Sequence, residues 1–197
     1  MVSFIILNYN SSLLVKKCIA SIETYMPANQ YEVVVVDNGS RPEEYALLDE
    51  LASEKDQEAL RLHIVRKEVN TGFGTGNMIG ASVAQGDYLC FLNAGDKLHS
   101  QETLAHIAAS IPSPQHGNGV AILYGDTHIV DNEGNFLRNR RLTPPEHLTW
   151  RSFRQGMLVC HQAFYINRQL APLYDTHYRF SADFDWCIRC MKEGERL

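Results

Sequence analysis

The sequence has no run approaching the roughly 18 apolar residues that a membrane-spanning helix needs. Its first residues, MVSFIILNYN, carry no basic segment and no small-residue cleavage site, so they read as a buried strand and not as a secretion signal. Positive charge is scarce: 18 Lys and Arg stand against 23 Asp and Glu, for a net charge of −5. That balance argues against nonspecific binding to nucleic acid, and no nucleic-acid partner is expected. The deficit is local. Residues 1–100 hold 8 basic and 13 acidic side chains, whereas residues 101–197 hold 10 of each. Cysteine is sparse and odd in number, with five residues, so no disulfide framework staples the chain. Cys187 and Cys190 are spaced CxxC on an apparent helix without a second pair, which reads as buried thiols in a reducing compartment. Glycine (13) and proline (7) are too few for a fibrous or low-complexity chain, and no internal repeat is present.

What is there is ordinary globular material: 197 residues, 45% hydrophobic and 21% charged. A chain of this length buries about 70% of its unfolded surface, enough for one core without metal or disulfide. The first half alternates strand and helix. Val2–Leu7 and Val33–Val36 are continuous apolar runs, as strands covered on both faces require. Between them a helix capped by Asn10 or Ser11 carries Val15, Cys18, Ile19, Ile22 and Met26 at helical spacing and ends at Pro27. Ser40 with Glu43 forms a capping-box pattern that opens a second helix, with Pro42 in its first turn. A third strand is expected over Arg61–Val65. A glycine-rich turn at residues 70–77 follows, feeding a helix through Ala84. A fourth strand over Asp87–Leu92 ends in Asn93-Ala94-Gly95-Asp96. Strands spaced by helices imply a mostly parallel α/β sheet. Ligands of such sheets lie beyond the carboxyl ends of the strands, so Asn8, Asp37, residues 70–77 and Asn93–Asp96 should converge on one edge.

The second half is less regular. Ser100 can cap a helix with Leu104, Ile107, Ala108 and Ile111 on one face, followed by a loop over Pro112–Gly119. Val120–Tyr124 and Leu158–Ile166 read as strands, and Gly125–Arg141 as a polar hairpin turning at Asn132–Asn135. Leu142–Gly156 has no period. The last helix starts near Ser181 with Phe184, Cys187, Ile188 and Met191 as its stripe.

Each polar residue of interest has two readings. Asp37 can accept hydrogen bonds from a base or ribose, or support its own turn. The glycines at 72, 74 and 76 are spaced GxGxG and not as a dinucleotide fingerprint. They allow either close approach of a ligand or close helix–sheet packing. Asp96 can bind Mg²⁺ or Mn²⁺ together with diphosphate oxygens, or serve its turn. Asp183, in a helix's first turn, is a dipole acid or a general base. Asp185 is placed to pair with Arg189 four residues on. His161 is a core histidine or a site residue. Residues 138–154, with Arg138, Arg140, Arg141, Arg151 and Arg154 against Glu146, are a solvated loop or an attraction for a phosphate-bearing acceptor.

The ordered series FIILNYN, VVVVDNGS, NTGFGTGN, GDYLCFLNAGD, YGD, HQAFYINR and FSADFDW resembles the family 2 glycosyltransferases of the GT-A fold. The bacterial branch that builds exopolysaccharide, O-antigen and lipooligosaccharide is the most similar. The resemblance implies one continuous domain over 1–197, with residues 1–99 the nucleotide-sugar half and residues 100–197 the acceptor and base half. Relatives continue past the position of Leu197, so the sequence is either truncated at its C-terminus or that of a short member. It implies an inverting transferase that moves a sugar, most simply from a UDP-sugar, to a saccharide or lipid-linked hydroxyl. It further implies a cytoplasmic location resting on the inner membrane; the oligomeric state is left open. By the same resemblance Asn8 and Tyr9 meet the base and Asp37 the uracil or ribose. Residues Asn70 to Asn77, with Gly72 and Gly74, close over the nucleoside. Asn93, Ala94 and Gly95 hold the nucleotide, Asp96 the divalent metal, and Asp183 is the catalytic base. Asp126, His161 and Asp185 fall near the donor sugar or acceptor. Two departures stand out. Asp96 is the one acid where the family has an acid-rich DxD, and Ala182 replaces an acid common beside the base. A sugar-nucleotide nucleotidyltransferase is the first alternative, but Asn8–Ser11 lacks the glycines and basic residues of its phosphate loop. A noncatalytic sugar-nucleotide binder is the second, and an NAD dehydrogenase fits least.

Overall fold

The apolar runs become buried parallel strands in the computed structural model of the chain, which describes residues 1–27, 29–54, 61–100, 102, 107 and 120–196. These are β1 (Val2–Asn8), β2 (Tyr31–Asn38), β3 (Leu62–Lys67) and β4 (Tyr88–Asn93). All eight residues of β2 are buried, as two covered faces require. β5 (Ile122–Tyr124), β6 (His128–Val130), β7 (Phe136–Asn139) and β8 (Phe164–Asn167) follow. The main sheet has the order β3-β2-β1-β4-β8-β5, with β6 and β7 in a separate hairpin. β1 to β4 run parallel, and β8 is antiparallel to both neighbours. The fold is thus the mostly parallel α/β sheet expected.

Helices cover both faces. On one side Val15, Cys18, Ile19 and Ile22 of α1 (Ser12–Tyr25) and Leu48 and Leu51 of α2 (Pro42–Glu54) pack on Phe4, Ile6, Val33 and Val35. On the other, Ile5, Val34, Val36, Leu89 and Phe91 meet α3 (Phe73–Val83) and α4 (Ala182–Gly194). Each such side chain, fully buried, contributes about 1.5–3 kcal/mol. A side chain at Gly76 would collide with Leu7, and one at Gly80 with Ile5. These two glycines let α3 lie close against β1.

Several local expectations shift. Ser11 sits at the N-cap of α1, but its hydroxyl donates to the Tyr9 carbonyl and caps nothing. The free amides of Ser11 and Ser12 go instead to Asn8 Oδ1 (3.2 Å) and Glu44 Oε2 (3.0 Å). Ser40 does not open α2 either: Pro42 is its first residue, and the Arg41 carbonyl takes the first helical bonds. The helix after the glycine-rich turn starts at Phe73, so Gly74, Gly76 and Asn77 are helical and the turn is only 70–72. β3 begins one residue late because Arg61 is in the left-handed region, φ 47°. Within 158–166 only Phe164 onward is strand. An Ala163 N–H to Cys160 carbonyl bond closes a 3-10 turn over His161–Ala163, and pairing with β4 starts after it. On α4 the buried set is Ala182, Trp186, Cys187, Cys190 and Met191, with Phe184 and Ile188 only partly covered, because Trp186 is drawn under Phe91 and Phe164. Both CxxC thiols are buried, and burial pushes them well up.

The hairpin turns where expected, with Asp131 Oδ1 accepting from the amides of Glu133 and Asn135. The expected helix after Ser100 has Leu104, Ala108 and Ile111 outside the described residues, as is the loop over residues 112–119; Ile107 is buried in the α1-side core. No helix among the described residues is long and apolar enough to cross a membrane.

The amino-terminal rim of the sheet is closed by Glu32, whose side chain is fully buried. Its Oε1 accepts from the Ser3 hydroxyl and from the amides of Gln85 and Gly86.

Candidate active site

Chain order places the site. The path runs outward from β1 to β2 to β3, then crosses back to β4 on the other flank of β1. Beyond the carboxyl ends of β1 and β4 lies the crevice of such a switch point. Register sets Asn8 opposite Asp37 and Leu7 opposite Asn93, so three strand ends meet there.

Asn8 Nδ2 donates to Asp37 Oδ1 at 2.9 Å and lies 3.2 and 3.3 Å from the hydroxyls of Ser12 and Ser40. Ser40 Oγ also accepts from the Asn10 amide (2.9 Å), and Asn10 Oδ1 accepts from the Arg41 amide (2.9 Å). The loops after β1 and β2 are therefore locked together. Asp37 itself is fully buried. Its second oxygen receives only a long contact from the Ser40 amide, 3.4 Å. Tyr9 is exposed beside this network. A cavity of about 610 Å³ adjoins it, lined by Ser40, Pro42, Arg66, Lys67 and Glu68. Arg66 is held there over the Tyr45 ring, 3.9 Å from its centroid.

Asn38 joins the third loop to this network. Its Oδ1 accepts from the Thr71 amide and hydroxyl (2.9 and 2.8 Å), and its Nδ2 donates to Asn70 Oδ1 and the Gly72 carbonyl (3.1 and 3.2 Å). Gly39, at φ 81°, lies so close that a Cβ would come within 2.5 Å of the Val69 backbone. Gly72 takes φ 84° and precedes α3. Gly74 faces Tyr174, and Asn77 is buried with its amide nitrogen unpaired.

At the end of β4 the turn closes on itself. The Asp96 amide donates to the Asn93 carbonyl (3.0 Å), and Asp96 Oδ2 accepts from the Asn93 amide (2.7 Å). Gly95 supplies φ 98° over Leu14 of α1, and Ala94 is half-buried. Burial raises the Asp96 carboxyl, with the Asn93 hydrogen bond opposing. Among the described residues no three His, Cys, Asp or Glu side chains gather as a metal cage. The oxygens this turn could offer a cation are Asp96 Oδ1 and the exposed Asn93 side-chain oxygen. That suits Mg²⁺ or Mn²⁺ held by one carboxylate plus substrate phosphates, rather than a cage built wholly by protein.

Asp183 lies half-buried in the first turn of α4, on the other face of the sheet from Cys18 and α1. Its carboxylate acts on His161, which stacks on Phe91 two residues before Asn93. Burial pushes the His161 imidazole down to about 4, and the Asp183 charge opposes that shift. Asp185 is engaged by Arg189 at 2.8 Å, and Arg189 also donates to the Leu173 carbonyl. Asp126 is exposed and accepts from the Thr127 amide. Of the basic loop residues, Arg140 is internal, donating to the carbonyls of Leu142 and Leu158, while Arg138, Arg141, Arg151 and Arg154 are exposed.

The structure thus unites Asn8, Asp37 and Asn70–Gly72 in one network, sets Asn93–Asp96 on the next strand end, and links Asp183 to that end through His161. Sequence reading missed Asn38, Ser40 as a loop clasp, and Tyr174. Asn38 carried a signal, following Asp37 at a strand end; Tyr174 carried none.

Comparison with known proteins agrees with this architecture. The sequence profile of glycosyl transferase family 2 matches residues 3–171. A PGL/p-HBAD biosynthesis glycosyltransferase of Mycobacterium bovis (strain BCG / Pasteur 1173P2) is 30% identical over 193 residues, covering 96% of this chain and 69% of its own. The amylovoran biosynthesis glycosyltransferase AmsB of Erwinia amylovora is 28% identical over 173 residues, covering 83% of this chain and 55% of its own. Among solved structures, S. aureus TarS 1-349 in complex with UDP-GlcNAc superposes with a TM-score of 0.73 at 20% identity, over 98% of this chain and 53% of that one. A mannosyltransferase from Pyrobaculum calidifontis, in complex with GDP-Man and Mn²⁺, gives 0.61 at 17% identity, over 89% and 47%. The chain spans about half the length of these structural neighbours.

Proposed function

The chain belongs to glycosyl transferase family 2, and from that premise we propose an inverting enzyme. It moves a sugar from a UDP-sugar to a hydroxyl of a saccharide or lipid-linked acceptor in the synthesis of a surface glycan. The observation that carries this reading is the interlocked set of strand-end loops around Asn8 and Asp37, next to an open cavity beyond the carboxyl ends of β2 and β3. The UDP-GlcNAc held by TarS supports a uridine nucleotide, and the biosynthetic names of the mycobacterial and Erwinia relatives support a glycan acceptor.

In this reading the nucleoside lies against Tyr9 and the cavity beside Ser40 and Arg66. Asp37, fully buried, is reached by base or ribose only as the Ser40 loop shifts and gives up its long contact on Oδ2. Asn70 to Gly72, tethered by Asn38, close the other side. Asp96 and Asn93 hold a divalent cation, which supplies charge stabilisation to the diphosphate when bound. Asp183 takes the proton of the acceptor hydroxyl while that oxygen bonds to the anomeric carbon. The bond from that carbon to the diphosphate breaks, its electron pair leaves with the nucleotide, and the configuration inverts.

The test is a thermal-shift screen of UDP-, GDP- and dTDP-sugars with and without Mn²⁺, followed by assay of nucleotide release with saccharide acceptors. A UDP-sugar should raise Tm by mass action, and more so with Mn²⁺. Stabilisation by no nucleotide sugar, or pyrophosphate as the released product, overturns the reading.

A further inference from the structure

Resting on Asp183 as the base, we propose that the His161–Tyr174 pair is a positioning element that holds the Asp183 carboxylate at its distance from the end of β4. The two residues come from irregular chain, yet His161 Nε2 and the Tyr174 hydroxyl meet at 2.6 Å, and both side chains are buried. Each ring stacks on a different element and meets the other's support edge-on. His161 stacks on Phe91 of β4, with centroids 5.3 Å apart and planes at 25°. Tyr174 lies flat on Trp186 of α4, at 5.1 Å and 4°, one turn beyond Asp183. Phe73, the first residue of α3, meets both edge-on. The hydrogen bond therefore links a ring stacked on the strand that ends at Asn93 to a ring stacked on the helix whose first turn carries Asp183, beside the direct Phe91–Trp186 contact of 5.1 Å.

The first turn of α4 needs such a tie. Ser181 precedes it in the left-handed region, φ 59°, and its hydroxyl makes no cap bond. Two apolar side chains would fill the same space at lower desolvation cost; what a satisfied buried polar pair adds is a fixed geometry. Its charge state also suits the role. Burial keeps the imidazole neutral near pH 7. It therefore packs beside the carboxylate without pairing with it, and leaves the base its charge. Tyr174 and Asp183 are the titratable groups facing the ring; Phe91 from β4 and Phe73 from α3 bring none.

Tyr174→Phe removes the hydroxyl and keeps the stack. With the UDP-sugar found in the screen, it should lower kcat by about 10–100-fold while UDP affinity stays within about twofold. His161→Gln, which can still hydrogen-bond Tyr174, should keep more of the rate than His161→Leu. A folded Tyr174→Phe variant with unchanged kcat overturns the proposal, whatever its Tm. A second measurement needs no activity. The His161 ring titration, followed by NMR, should move further down in Asp183→Asn, because the carboxylate is what raises it. An unmoved midpoint also overturns the proposal. A moved midpoint in a protein that transfers no sugar removes the functional reading and leaves the coupling intact.

Discussion

Asn8 and Asp37 end adjacent parallel strands and share a 2.9 Å hydrogen bond sealed from solvent. Removing one partner leaves the other's polar atoms buried and unmatched. Asn8→Ala should cost about 1–3 kcal/mol by urea denaturation, the usual penalty for an orphaned buried group. It should also weaken UDP binding by calorimetry, since the loops after β1 and β2 lose their common anchor. Unaltered UDP affinity would mean that this anchor has no part in the nucleotide site.

Asp183→Asn keeps the shape of the side chain and removes its basicity. Loss of a general base lowers rates about 10²–10⁴-fold. Turnover should fall by that factor while UDP affinity is retained, because the network proposed to hold the nucleoside lies at β1 and β2. Full turnover in this variant contradicts the assignment.

The glycines should separate by cause. At Gly80, alanine gains about 1 kcal/mol of helix propensity, yet its Cβ meets Ile5 of β1. Overpacking costs about 1–3 kcal/mol, so Gly80→Ala should lower Tm. At Gly72 nothing lies within 4 Å, and only the positive φ opposes a side chain. Gly72→Ala should cost about 1–3 kcal/mol, because φ 84° with ψ 169° is a backbone region essentially reserved for glycine. Gly39→Ala, where strain and a backbone collision coincide, should be the most damaging of the three.

The pH dependence has a defined sign. His161 is lowered from 6.5 to about 4 in the folded protein. Between those values the unfolded chain binds a proton that the native protein refuses, so stability falls as pH drops through this window. His161→Gln should flatten that part of the stability curve, measured by chemical denaturation at stepped pH. A slope identical to that of the parent protein would show that the ring is not the group responsible.

How far the sequence alone could go is clear from particular residues. Val33–Val36 announced a strand covered on both sides, and the switch-point rule brought Asn8, Asp37 and Asn93 to one edge before any coordinates. Helix starts were less legible. Ser40 looked like a cap because it precedes Pro42 and Glu43, but its hydroxyl is taken by Asn10, which lies 30 residues earlier. Periodicity chose Phe184 and Ile188 for the inner face of α4; aromatic stacking on Trp186 rotated that face. Tyr174 was invisible because the segment between Leu170 and Ser181 has no period, and its partner is fixed only by tertiary packing. Asn38 is signalled only by its place after Asp37 at a strand end; its four bonds to residues 70–72 are long-range and follow no local pattern.

The Glu32 knot sits at the rim away from the crevice and ties Ser3, Gln85 and Gly86 with one carboxylate oxygen. Strand alignment is thereby fastened at the end of the sheet opposite the switch-point crevice. At the opposite margin exposed side chains such as Tyr9 can vary without loosening the scaffold, whereas Asn10, Asn70, Thr71, Gly72 and Asp96 are tied into it.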